Sequence, residues 1–154
     1  MYNKILVPLD GSELAECVLP HVETFIKRYH VSEVVFLRAV DLLHPYFHNE
    51  SYFNVADLEK SESDRKTSAQ DYLNQVINRL EHDGTTLRSE VLVGRAAETL
   101  IDYVEKNDID LILIATHGRS GLSRWVMGSV ADKVLRSSNI PVLMVRAPGI
   151  EIGI

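Results

Sequence analysis

The residues best placed to do chemistry fall in one stretch, Leu111 to Val130. It opens as an apolar run, Leu111–Ala115, and breaks into a loop, Thr116 to Met127, that contains Gly118 and Gly121. It then meets Gly128-Ser129 at the head of an amphipathic pattern formed by Val130, Val134 and Leu135. A strand, a glycine-bearing loop and a helix start together are a recurring device for holding phosphate, and equally an ordinary way to join a strand to a helix. Glycine lets the backbone approach a phosphate, and the first N–H groups of a helix have no partner of their own. Arg119 and Arg124 could pair with phosphate, although loop arginines are more often solvated. His117 has no evident acid–base partner and reads as a structural loop residue, and Trp125 as a packing anchor.

The sharper signatures of nucleotide and covalent chemistry are absent. There is no G-x-x-x-x-G-K-[ST] loop, no G-x-G-x-x-G after the first strand and no G-x-S-x-G elbow. A phosphoacceptor domain would need paired acids after its first strand and a lysine after its fifth; only Asp10 is present, and the fifth strand runs into Arg146. Cys17 lies within a helical pattern beside apolar positions and reads as a core residue rather than a nucleophile. His44 and His48 are four apart, but Pro45 between them argues against a helical metal site, and no third ligand is evident.

The elements that must position these residues alternate along the chain. Ile5–Leu9, Val34–Val40, Leu111–Ala115 and Val142–Val145 are short runs rich in aliphatic residues, as expected of parallel strands buried on both faces. Leu87–Val93 alternates apolar and polar, which predicts an edge strand ending at Gly94. Pro8 lacks an N–H and belongs at a strand end. Between the strands, helical spacing is carried by Leu14, Val18, Val22, Phe25 and Ile26, with Pro20 expected to kink that helix. It recurs over Leu58 to Arg79, stopped by Gly84, and again at Ala97, Leu100, Ile101 and Val104. Asp10 and Ser12 are both candidate helix caps, and Asp10 with Glu13, or Ser129 with Asp132, has capping-box spacing. The order βαβαβαβαβ predicts an α/β fold, an open, doubly wound, five-stranded parallel sheet with helices on both faces, for which we take the strand order 3-2-1-4-5. That order puts the ends of the first and fourth strands side by side where the winding reverses, so Asp10 and the Ala115–Ser129 stretch share one crevice.

Composition narrows the partners. The chain has 154 residues, a length suited to one domain, which we place at 1–147 with a tail at 148–154. A net charge of -6 without any basic run disfavours nucleic acid and anionic membrane. One cysteine excludes an internal disulfide, no apolar stretch approaches the ~20 residues of a membrane span, and the first residues enter a strand without a leader pattern. A cytoplasmic location is expected. The segment Asp41–Asp57 is long enough for a lid or interaction surface.

The pattern Ala115-Thr-His-Gly118, nine residues, then Gly128-Ser129 resembles the ATP-binding branch of the universal stress protein family, whose motif is G-x-x-G, nine residues, G-[ST]. Lys4-Ile-Leu-Val-Pro-Leu-Asp-Gly-Ser12, Val91-Leu-Val-Gly94 and Ile140-Pro-Val-Leu-Met-Val145 extend the resemblance over nearly the whole chain. The departure is Ala115, where the family has glycine. By position, the resemblance implies that Pro8, Leu9 and Asp10 border the adenosine, and that Ala39 offers its backbone to adenine. Ala115 and Gly118 would line the ribose and phosphate entrance, and Gly128, Ser129, Val130 and Ala131 would hold the phosphates; from its place in the loop rather than from the resemblance, Arg119 is added to the candidate nucleotide-binding residues. It further implies ATP, with Mg²⁺ if Asp10 approaches phosphate, and a homodimer formed through the last strand, Val142–Val145. No efficient phosphotransferase constellation is visible, so any ATP hydrolysis is expected to be slow. The alternative is an interaction module of the same fold that binds no ATP.

Overall fold

The computed structural model describes residues 1–41, 55–117 and 127–147. Five strands, β1 (Lys4–Pro8), β2 (Glu33–Val40), β3 (Thr86–Val93), β4 (Leu111–Ala115) and β5 (Val142–Val145), form one parallel sheet in the order β3-β2-β1-β4-β5. The helices are α1 (Leu19–Tyr29), preceded by a 3-10 turn at Ala15–Val18, α2 (Val55–Asn78), α3 (Ala96–Lys106) and α4 (Ser129–Ser137). The expected strand order holds.

The two-sided apolar strands divide their side chains between two cores. Ile5, Val7, Val34, Phe36, Leu111 and Leu113 point to one face, where Val22 and Ile26 of α1 and Leu73 and Val76 of α2 cover them. Leu6, Val35, Leu37, Ile112 and Ile114 point to the other, against Leu100 and Val104 of α3 and Ala131 and Val134 of α4. This is the period-two geometry of a strand buried on both sides. β3, alternating in sequence, is at the sheet edge as expected, and Pro8 is the last residue of β1.

Several local expectations are corrected. Pro20 does not kink a helix interior: α1 starts at Leu19, so the proline sits in the first turn, where no intrahelical acceptor waits for its missing N–H. The Asp10–Glu13 capping box is replaced by a relay. Asp10 Oδ1 accepts the Ser12 N–H (2.9 Å) and O–H (2.6 Å), and Ser12 Oγ accepts the Ala15 N–H (3.2 Å). Ser129 does not cap α4; Gly128 takes the cap position without a side-chain bond, and Asp132 pairs with Arg136 at 3.0 Å. Leu135 is exposed rather than inward. Helix α2 stops at Asn78, and Gly84 belongs to a separate turn beyond it. Its first half is largely exposed, as its charged sequence predicts. His44, His48, Gly121, Arg124 and Trp125 lie outside the described residues, as does the 148–154 tail.

Cys17 packs against the first core, and desolvation raises its thiol pKa above the ordinary value. A raised pKa leaves less thiolate at a given pH. Labelling of Cys17 by a thiol reagent at pH 8 should therefore be several-fold slower in the native protein than in guanidinium. Equal rates would contradict the core assignment.

Candidate functional site

The winding reverses at β1, which pairs with β2 on one side and β4 on the other. A cavity of about 270 Å³ opens there, at the carboxyl ends of the strands. That is close to the lower end of the ~300–1,000 Å³ range of small-molecule pockets, and strand ends at a switch point are where such folds bind ligands. Pro8, Leu9 and Asp10 form the β1 wall, and Ala39 lies at the end of β2. Ala115 closes β4, and Gly128, Ser129, Val130 and Ala131 bring the start of α4 to the opposite side. Nine of the eleven residues expected from sequence therefore meet around one cavity. Gly118 and Arg119 lie outside the described residues.

The α4 wall presents a helix start to the cavity. The first bond of the helix ladder runs from the Asp132 N–H to Gly128 O at 2.9 Å. The N–H groups of Ser129, Val130 and Ala131 precede it and have no intrahelical acceptor. These three residues line the cavity, at the positive end of the α4 dipole.

Gly128 owes its place to a close approach. Its N–H donates to Thr116 O (2.8 Å), pinning the two ends of the intervening loop together. A Cβ on Gly128 would lie 3.0 Å from that same oxygen, while its φ of -55° is open to any residue.

Sequence reasoning missed Thr116. Its N–H donates to Val145 O (2.8 Å), its Oγ1 accepts the Ala147 N–H (3.3 Å) and lies 2.9 Å from His117 Nδ1, and its carbonyl holds Gly128. One residue thus ties β4 to β5 and to the start of α4. Thr116 and His117 also line the cavity, with Leu37, Ala96 and Leu100. The last two come from α3, and no motif marks them; their helical spacing signals only burial.

Asp10 serves two ends. It accepts both Ser12 bonds, and it lines the cavity. It is the one carboxylate among the described lining residues, so a Mg²⁺ ion here would be carried on phosphate and water rather than in a protein cage. Asp10 and Ala39 also border a second, polar groove that runs along α2 past Arg38, Lys60 and Arg65.

The sequence profile of the Universal stress protein family matches residues 1–146. The chain belongs to the universal stress protein family. Universal stress protein MJ0577 of Methanocaldococcus jannaschii is 32% identical over 158 residues, spanning 95% of this chain and 96% of that relative. The solved structure of MJ0577, described as a test case for assigning biochemical function from structure, matches with a TM-score of 0.82 at 28% identity, covering 97% of this chain and 99% of that one. A universal stress protein in complex with cAMP (TM-score 0.67, 21% identity, 95% and 98% coverage) shares the fold. So does a family member from Arabidopsis thaliana with AMP bound (TM-score 0.66, 14% identity, 96% and 93% coverage).

The motif this chain resembles has glycine where the chain has Ala115. Among the described non-glycine residues only His30, Asp83 and Asp108 have positive φ, so Ala115 needs none of glycine's backbone freedom. It ends β4 in regular pairing with Val145.

Proposed function

We propose that this universal stress protein binds ATP in the cavity between β1 and β4 and acts as a nucleotide-dependent regulatory protein in a stress response. The observation that carries the reading is the meeting, across one cavity, of the unpaired α4 N–H groups and the Asp10 end of β1. The α4 end suits phosphate. Asp10 suits the ribose or base, where a carboxylate is an acceptor rather than a repelling charge. Ala39 offers its backbone to adenine, and Gly118 and Arg119 complete the phosphate side. The cAMP and AMP complexes of proteins with this fold support an adenine nucleotide. ATP acts as a switch ligand, with slow hydrolysis at most.

The same reading makes residues 1–147 one cytoplasmic domain and pairs β5 with its copy in a homodimer, with residues 148–154 at the contact. Among the described residues β5 pairs only with β4, and Leu143 is exposed on it, which leaves an edge suited to self-pairing.

Nucleotide released from the purified protein on denaturation, together with calorimetry against ATP, AMP and cAMP in Mg²⁺, tests the reading. A stoichiometric adenine nucleotide or a saturable ATP isotherm is expected. No released nucleotide and no heat with any of the three overturns it and leaves the interaction-module alternative.

A further inference from the structure

Arg38 stands where the core of the sheet ends. Val34 and Phe36 point from β2 into the first core, and Arg38 follows them on the same face of the strand, at the head of the polar groove beside the cavity. Its guanidinium is held on two sides. On one, a Cβ built on Gly11 would meet Nη1, Cζ and Nη2 at 3.1, 3.2 and 3.2 Å. Three nearly equal distances mean that the face of the guanidinium plane is turned toward the side of Gly11 where a Cβ would stand. On the other, Cζ is 5.3 Å from the centre of the Tyr72 ring on α2, within cation–π range. Tyr72 is fixed in turn: its hydroxyl donates to Glu16 Oε1 (2.9 Å), and Glu16 Oε2 takes Arg79 (2.9 Å). Burial, then the bond to Glu16, pushes the Tyr72 phenol pKa above its ordinary value.

Gly11 is the central residue of the turn Asp10-Gly11-Ser12, with φ +87°. The turn is closed from inside by the two bonds from Ser12 to Asp10 Oδ1. Arg38 braces it from outside, as a flat plate between the turn and α2. Only glycine tolerates both the φ and the contact.

We propose that Arg38 is a positioning residue that holds the Asp10 carboxylate in register with the ribose hydroxyls of the bound nucleotide, and so sets the preference for ribonucleotides. The inference rests on the nucleotide reading given above. A carboxylate poised to accept a sugar hydroxyl discriminates against the ligand that lacks it, and loses that discrimination when it can swing away. Lysine cannot replace the brace, because a compact ammonium offers no plane to lie on Gly11.

The test is calorimetry of ATP, 2′-deoxy-ATP and 3′-deoxy-ATP against the native protein and the variants Arg38→Ala, Arg38→Lys, Asp10→Asn and Asp10→Asn/Arg38→Ala. The native protein should prefer ATP over at least one deoxy analogue by about tenfold. Arg38→Ala and Arg38→Lys should both abolish that preference, with deoxy-nucleotide affinity held within about twofold. The double variant should be no worse than Asp10→Asn, because residues acting through one another are not additive. Equal weakening of all three nucleotides, a preference that survives in Arg38→Ala, rescue by lysine, or additive losses would each overturn the role of Arg38 while leaving ATP binding intact. Failure of the native protein to bind any of the three would instead remove the nucleotide reading, and this inference with it.

Discussion

Gly128→Val is expected to weaken ATP binding by at least about tenfold, or ~1.4 kcal/mol, with the fold retained. Gly128 approaches β4 so closely that even a methyl group would sit 3.0 Å from Thr116 O, and its own N–H donates to that oxygen at 2.8 Å. The oxygen belongs to backbone that is already committed, since the Thr116 N–H is bonded to Val145 O. It cannot yield without disturbing the β4–β5 pairing, so the start of α4 must move instead. That shift carries the Ser129, Val130 and Ala131 N–H groups away from the place proposed for the phosphate. Anion binding at a helix start depends on their convergence, so the loss falls on phosphate affinity first. Calorimetry with ATP and with adenosine separates the two contributions. ATP affinity should fall, while adenosine affinity, which does not depend on α4, should change little. Unaltered ATP affinity in a folded Gly128→Val protein would refute the phosphate assignment.

Phe36→Ala is expected to cost about 3–5 kcal/mol of stability, a large share of the ~5–15 kcal/mol that holds such a domain together. Phe36 is fully buried and ranks among the largest such side chains. It lies in the central part of the sheet, paired across β1 with Val7 and across β3 with Ser89, and belongs to the core that α1 and α2 cover. Truncation would leave a cavity under the strand that carries Arg38 and Ala39 to the site. In urea the midpoint should fall by roughly 1 M or more, with the slope unchanged. A loss below about 1 kcal/mol would mean that the core collapses around the gap or that Phe36 is less enclosed than its burial indicates.

Much of the architecture follows from local pattern. Ile5–Leu9, Val34–Val40 and Leu111–Ala115 are apolar on successive residues, and the only way to bury both sides of such a strand is between two helical layers. Pro8 marks a strand end because a proline has no ladder hydrogen to give. Gly128-Ser129 marks the last helix start, and the residues around it were legible as cavity-lining candidates because the reason is local: a helix first turn has N–H groups without intrahelical acceptors.

What the chain order alone determined, then, is the kind of each element, its two-sided or one-sided burial, and the residues that gather at the start of α4 beside the cavity. Tertiary structure decided the rest. Whether Pro20 breaks a helix depends on where that helix begins, and α1 begins at Leu19. Whether Gly128 is needed for its φ or for space depends on Thr116, a residue on another element. Arg38, Gly11 and Tyr72 stand on β2, the turn after β1 and α2, and no spacing rule relates positions that far apart. Hydrophobic periodicity records which way a side chain faces along its own element. It carries no record of which distant side chain waits opposite, because that is set by how the strands pair in register and how the helices lie across them.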